Sequence, residues 1–198
     1  MSSFGSAADD AVIQFIAGNY NNSAPWYQFN DNRGDIQVHP DFLAMIDTTD
    51  PRLAMMMDAN GYPGDYYATM DGHVDILTYD ELQFILAECE AATGGSPAAN
   101  LKAAVEANMT RIGGAIDAAL VTAATTDVSL ANIMKQKYIA MFLSPEAWND
   151  WRRTGLPVLT PNTGTQIPRS LMYASVEVNA NANTPTNTDV FRRVWWDK

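Results

Sequence analysis

The sequence predicts a mainly α-helical protein in which a helical scaffold carries long irregular loops. Three observations lead there. Between residues 78 and 155 apolar side chains recur at three- and four-residue spacing. Helix start and stop signals bracket these stripes. On either side the chain is rich in Asn, Asp, Gly and Pro, which punctuate regular structure. The expected organisation is a loop-rich aromatic and Asn-containing region with short helices at 1–77, a helical scaffold at 78–155, and an irregular C-terminal segment at 156–198 packing back on the helices.

In the first region turn formers such as Asn19, Asn21, Asn22, Asn30, Asp31, Asn32, Gly34, Asn60, Gly61, Pro63 and Gly64 separate the aromatic residues Trp26, Tyr27, Phe29, Tyr62, Tyr66 and Tyr67. Pro40–Met45 is expected to form a short helix. Pro51–Met57 is expected to form another, with Asp50 as N-cap and Pro51 in its first turn. Met55, Met56 and Met57 cannot all face one side, and some are read as core filler.

The scaffold opens at Thr78-Tyr79-Asp80-Glu81, which reads as a capping box. Leu82, Ile85, Leu86 and Cys89 then form one apolar stripe. Gly94-Gly95 ends that helix. Ser96-Pro97 starts the next, whose stripe is Leu101, Val105, Met109 and Ile112. Two helices joined by so short a turn form an antiparallel hairpin. Gly113-Gly114 interrupts the pattern, and the composition of Ala115–Ala124 permits helix without requiring it. A third helix is expected from about Ser129 to Leu143, with Leu130, Ile133, Met134, Lys137 and Met141 on one side. A fourth, Ala147–Thr154, starts after Ser144-Pro145-Glu146 and stops at Gly155 and Pro157. Residues 179–188 are polar loop material. The adjacent Trp195 and Trp196 are expected to dock on the body of the protein.

Composition narrows the function. At 198 residues and 47% hydrophobic content the chain can bury a real core. Its formal net charge of -11 argues against nucleic acid, whose phosphates require clustered Lys and Arg. No segment approaches the ~20 apolar residues of a membrane span. The first residues lack the charged start and apolar stretch of a signal peptide. Cys89 is the single cysteine, read as a buried and inert thiol. No metal site is expected. The run Asp31-Asn32-Arg33-Gly34-Asp35 lacks calcium-loop spacing, and His39 and His73 have no ligand partner at zinc spacing. No catalytic residues are expected either. Asp80, Glu81, Glu88 and Glu90 read as solvated helix surface, and no nucleophile elbow, phosphate loop or dinucleotide fingerprint occurs.

The order of several blocks carries a family resemblance. Asp-Pro-Arg-Leu stands at 50–53 and Thr-Tyr-Asp-Glu-Leu-Gln-Phe-Ile-Leu-Ala-Glu at 78–88. Ile-Met-Lys-Gln-Lys-Tyr-Ile-Ala-Met-Phe at 133–142 runs into Glu-Ala-Trp-Asn-Asp-Trp-Arg-Arg-Thr-Gly at 146–155. Ile-Pro-Arg-Ser-Leu-Met-Tyr at 167–173 and Trp-Trp-Asp at 195–197 close the series. From about Ala24 to Lys198 this resembles the C-terminal half of SusD/RagB-like nutrient-binding lipoproteins. The resemblance implies a SusD-like fold with tetratricopeptide-like helix pairs and no catalysis or cofactor. It implies a protein on the cell-surface side of the outer membrane. Such a protein captures oligosaccharide, or less often peptide, and delivers it to a SusC-like TonB-dependent transporter. Membrane contact is expected only through a lipid anchor outside these residues, which contain no lipidation cysteine.

Sugar binding needs flat apolar faces for pyranose C–H surfaces and amides or carboxylates for hydroxyls. Trp26, Tyr27, Tyr62, Tyr66 and Tyr67, with Asn30, Asp31 and Asp65, are therefore the candidate ligand contacts. Trp148 and Trp151 share a helix face and, with Arg152 and Arg153, are read as framework. A module that docks on another polypeptide without binding a small ligand is the rival reading.

Overall fold

The computed structural model describes residues 4–185 and 189–197. The chain forms two compact units, Met1–Ala147 and Trp148–Lys198. The first begins with strand β1, Ala11–Gln14, which pairs antiparallel with β2, His73–Leu77. Between them lie three short helices, α1 (Pro25–Asn32), α2 (Pro40–Met45) and α3 (Leu53–Met56). The scaffold follows as α4 (Tyr79–Thr93), α5 (Ala98–Asn108), α6 (Ala118–Thr125) and α7 (Leu130–Ala140). The boundary between the units falls inside α8, Pro145–Thr154, and α9 spans Ser175–Ala180.

The α4–α5 hairpin forms as the glycines dictate. Gly94 takes the left-handed conformation at φ 77°, and the Gly95 N–H donates to the Glu90 carbonyl at 2.7 Å. The start of α4 differs from the expected capping box. The Thr78 hydroxyl makes no cap bond. Instead the Asp10 carboxylate, far away in sequence, accepts from the Tyr79 N–H at 2.6 Å. The α3 helix is also shorter than expected and begins after Arg52, although Asp50 still accepts the Arg52 backbone N–H at 2.9 Å while its carboxylate pairs with the Arg52 guanidinium. Asp117 accepts from the Ala119 and Leu120 N–H groups, which fixes α6 where composition left the conformation open. A helix, α1, and a sheet occupy a region whose turn formers indicated loop, and α9 occupies part of the C-terminal segment expected to be irregular. Residues 186–188 of the expected polar loop lie outside the described residues.

The apolar stripe expected on α4 is out of phase with the core. Phe84 and Ala87 are buried against Leu101, Ala104 and Val105 of α5 and Ile133 of α7. Leu86 is 40% exposed and Cys89 is exposed, so the thiol is not the buried one expected. The cause is Asp80. It read as solvated surface, yet it is 1% exposed and turns its face of α4 inward to meet Arg111. A second cluster joins Phe42 of α2 and Ile46 just after it to Met56, Met57, Tyr67, Ile112 and Ile139. Each such side chain contributes about 1.5–3 kcal/mol on burial, and together they seat the short helices on the scaffold.

A buried polar network runs through the same contact. A π-helical turn at Met109–Gly113 carries Arg111 off the end of α5. Its Nε and Nη2 donate to the two Asp80 oxygens at 2.9 and 2.8 Å, and its Nη1 donates to the Tyr66 hydroxyl at 2.6 Å and to Asp75 at 2.7 Å. Asn108 donates to Asp80 at 2.6 Å and accepts from Arg52 at 2.7 Å. Arg52, 2% exposed, closes a bidentate pair with Asp50 at 2.9 and 2.7 Å. Burial opposes the Asp80 charge, but Arg111 and the hydrogen bonds outweigh it and hold the carboxyl below its ordinary range. Burial likewise opposes the Arg111 charge, and Asp80 overrides it, keeping the guanidinium firmly protonated. Gly113 is required beside this network: a Cβ there would stand 2.9 Å from the Pro51 carbonyl carbon.

The second unit holds the later blocks of the family resemblance, from Trp148 onward. Arg152 lies over the Trp148 ring at 3.6 Å and over Trp196 at 4.5 Å, and Arg169 lies over Trp151 at 4.5 Å. The Trp148 indole N–H donates to the Pro168 carbonyl at 2.9 Å, and Arg169 pairs with Asp197. Trp196 is thus engaged while Trp195 is 95% exposed. The expectation that both would dock fails because neighbouring side chains in this turn do not share one direction.

Candidate ligand-binding site

The eight predicted contacts separate into two groups of different character. Trp26, Tyr27, Asn30 and Asp31 lie together on α1, not in a loop. Pro25 at the first helical position sets the helix start. The rings form two edge-to-face pairs. Trp26 meets Phe29 at 6.2 Å and 61°, and Tyr27 meets Tyr20 at 6.1 Å and 61°. Trp26 is half-buried against the second core cluster, which anchors it, whereas Phe29 and Tyr20 are exposed. Arg33 stands 5.3 Å over the Phe29 ring. The Tyr20 hydroxyl accepts from the Asn32 amide and donates to the Gln28 carbonyl at 3.3 Å. Its pKa is raised by desolvation first and then by the Asp31 carboxylate. The result is an aromatic surface edged by amides and carboxylates.

The other group belongs to the framework. Tyr67 is buried, edge-on to Tyr66 at 4.9 Å and to Phe142 at 5.6 Å. Tyr66 accepts from Arg111, meets His73 Nε2 at 3.0 Å, and has its hydroxyl pushed up to about 12 by burial. Tyr62 is half-buried in a turn whose Asp58 carboxylate accepts the Tyr62 N–H at 2.9 Å, and Asp65 is exposed. The Tyr66 and Tyr67 rings hold chain segments together through contacts with each other, His73 and Phe142.

Sequence reasoning left out Tyr20, Phe29, Asn32 and Arg33. Helical spacing carried a signal for two of them. Starting from Trp26, positions three, four and seven further on are Phe29, Asn30 and Arg33, one face of a helix. A separate groove of about 700 Å³ is floored by Val38, Leu43, Leu53 and Met57 and rimmed by Gln37 and Asn60. It presents no aromatic ring and none of the predicted contacts. Among the described residues no group of three or more His, Cys, Asp and Glu could hold a metal ion. No described helix is long and apolar enough to cross a membrane.

A helix-pair scaffold with short helices and a two-stranded sheet seated on it is the fold of SusD homologues. One from Bacteroides fragilis matches 98% of this chain and 58% of its own, with a TM-score of 0.67 at 19% identity. One from Parabacteroides distasonis matches with a TM-score of 0.69 at 19% identity, again over 98% of this chain and 58% of its own. A chitin-binding protein matches with a TM-score of 0.71 at 24% identity, over 98% and 56%. Residues 1–174 match the SusD-like_2 family model, described as starch-binding and associating with outer membrane, and the chain belongs to that family. It spans somewhat more than half the length of these three solved structures. No curated protein matches it.

Proposed function

We propose that this protein is a non-catalytic glycan-binding component of nutrient uptake at the outer membrane, and that the α1 surface contacts the sugar. The observation that carries this reading is the grouping of half-buried and exposed aromatic rings with amides and carboxylates on one short helix. Trp26 and Phe29 offer flat apolar area, and Tyr27, Asn30, Asp31 and Asn32 surround it with donors and acceptors. Sugar rings have the complementary pattern of C–H faces and hydroxyl edges. Membership of a family described as starch-binding, and likeness to a chitin-binding protein, support the ligand class. Capture would be reversible and would precede delivery to a SusC-like TonB-dependent transporter, with the chain tethered as a surface lipoprotein. Tyr62, Asp65, Tyr66 and Tyr67 serve this reading as support for the loops beside the site.

The test is isothermal titration with malto- and chito-oligosaccharides. Trp26→Ala and Phe29→Ala are each expected to weaken binding at least tenfold, as loss of an aromatic anchor does. Unchanged affinity in both variants would reject the α1 surface. A second reading, a module docking on another polypeptide, is favoured by the exposed Leu171, Met172, Val176 and Val178. Co-purification with the transporter that survives Leu171→Asp and Val176→Asp would count against it.

A further inference from the structure

His73, the first residue of β2, stands where two partners compete for one nitrogen. Its Nε2 lies 3.0 Å from the Tyr66 hydroxyl and 3.2 Å from Asp75 Oδ1. The hydrogen count fixes which partner holds it when the imidazole is neutral. Arg111 Nη1 has two hydrogens, and they go to the Tyr66 oxygen at 2.6 Å and to Asp75 Oδ2 at 2.7 Å. Burial pushes the Tyr66 hydroxyl up to about 12, so it keeps its own proton. The acceptor within reach of that proton is His73 Nε2. Nε2 is therefore the bare nitrogen, with the ring hydrogen on Nδ1. Asp75 Oδ1 is then a buried carboxylate oxygen that accepts no hydrogen bond among the described residues and faces a nitrogen lone pair. Native structures rarely leave such an acceptor unpaired without a reason.

The surroundings supply the reason. Charged groups converge here from every element packed against the imidazole: Asp10 before β1, Asp75 on β2, Asp80 on α4 and Arg111 on the π-helical turn. Three carboxylates against one guanidinium leave the cluster negative, which favours a second cation. On β1 the register partner of His73 is Gln14, which carries no charge. The remaining titratable neighbour is Tyr67, edge-on to Tyr66. The His73 side chain is 26% exposed, so protons reach it from solvent. Histidine is the side chain that ordinarily gains charge between pH 8 and pH 5. We propose that His73 is a proton-operated partner switch, which ties the Tyr66 segment to β2 when neutral and releases it when charged. A proton from solvent adds to Nε2, the Tyr66–His73 hydrogen bond breaks, and the new N–H donates to Asp75 Oδ1. Tyr66 keeps its own hydrogen and the bond from Arg111. His73 and Asp75 both lie on β2, so the new ion pair closes within the strand and no longer reaches the Tyr66 turn. No residue of α1 takes part, and the switch holds or fails apart from the glycan reading.

The experiment is NMR of the full chain between pH 8 and pH 5. The chain has two histidines, and His39→Gln assigns their ring signals. At pH 8 the ring nitrogen shifts should report the Nδ1–H tautomer of His73 in the wild type. In Tyr66→Phe, which removes the competing hydroxyl, they should report the Nε2–H tautomer. On acidification the Asp75 carboxyl carbon should shift together with the His73 ring. The Tyr66, Tyr67 and Ala68 amides donate to Met55 and Gly64 carbonyls within the released turn. Their hydrogen exchange, corrected for intrinsic rates, should speed up about fivefold, as loss of one hydrogen bond of about 1 kcal/mol gives. His73→Gln is neutral at every pH and should show no such rise. An Nε2–H tautomer in the wild type at pH 8 would overturn the proposal. So would an Asp75 carboxyl that stays silent while His73 titrates, or an equal rise in exchange in His73→Gln. The tautomer and the Asp75 response are read in the wild type, so they carry the test even if His73→Gln does not fold.

Discussion

Replacing Arg111 with Met probes the contact that sets the phase of α4 and holds β2 and the Tyr66 segment to the scaffold. Met keeps most of the side-chain volume and removes every N–H. Two hydrogen bonds to Asp80, one to Asp75 and one to Tyr66 disappear. Asp80, 1% exposed, is then left with Asn108 at 2.6 Å and no neighbouring cation in contact. Stranding a buried charge by removing its partner costs about 3–5 kcal/mol. With a urea m-value of about 2 kcal/mol/M, the unfolding midpoint at pH 7 should fall by roughly 2 M. The pH dependence has a definite sign. In the wild type the folded-state pKa of Asp80 lies below its unfolded value of about 3.9. Its contribution is therefore complete above that value and is lost as pH falls through the depressed one. Without Arg111 burial dominates, the carboxyl rises, and the variant loses stability as pH climbs through the raised value. The gap between wild type and variant should widen from pH 3 to pH 7. Adding Asp80→Leu to Arg111→Met should recover part of the loss, since the stranded Asp80 charge is gone. A loss below about 1 kcal/mol, typical of an exposed ion pair, with a gap that does not change with pH, would refute the reasoning.

Two further outcomes follow from the packing. Gly64→Ala places a Cβ 2.6 Å from the Met55 carbonyl oxygen and 2.7 Å from the Met57 nitrogen, so thermal or urea unfolding should show about 1–3 kcal/mol of destabilisation; a neutral result would mean the α3 segment yields freely. Cys89 is exposed, so a thiol reagent should label it stoichiometrically without denaturant, and labelling only after unfolding would place the helix face incorrectly.

The scaffold was legible in the sequence because its signals are local. Gly94-Gly95 ends α4, Ser129 caps α7, and Pro145 opens α8, each within one turn of the element it controls. What escaped depends on distant partners. Hydropathy assigns Asp80 to the surface, and only Arg111, brought in by the π-helical turn, makes its burial favourable. The true α4 cap, Asp10, arrives through β1–β2 pairing. Trp26 and Tyr27 were legible as a candidate pair, but the Asn-rich run around them hid α1 and with it Phe29 and Arg33. Tyr66 and Tyr67 look like the α1 aromatics in sequence. Their commitment to Arg111 and Phe142 exists only once the helices have packed.

The most direct measurement of the central claim is NMR shift mapping on the full chain with a short glycan that binds it. Shifts concentrated on Tyr20, Trp26, Tyr27, Phe29 and Asn30, with the glycan recovered uncleaved, are the predicted result. Binding that leaves α1 unperturbed, or shortening of the glycan during incubation, would contradict it.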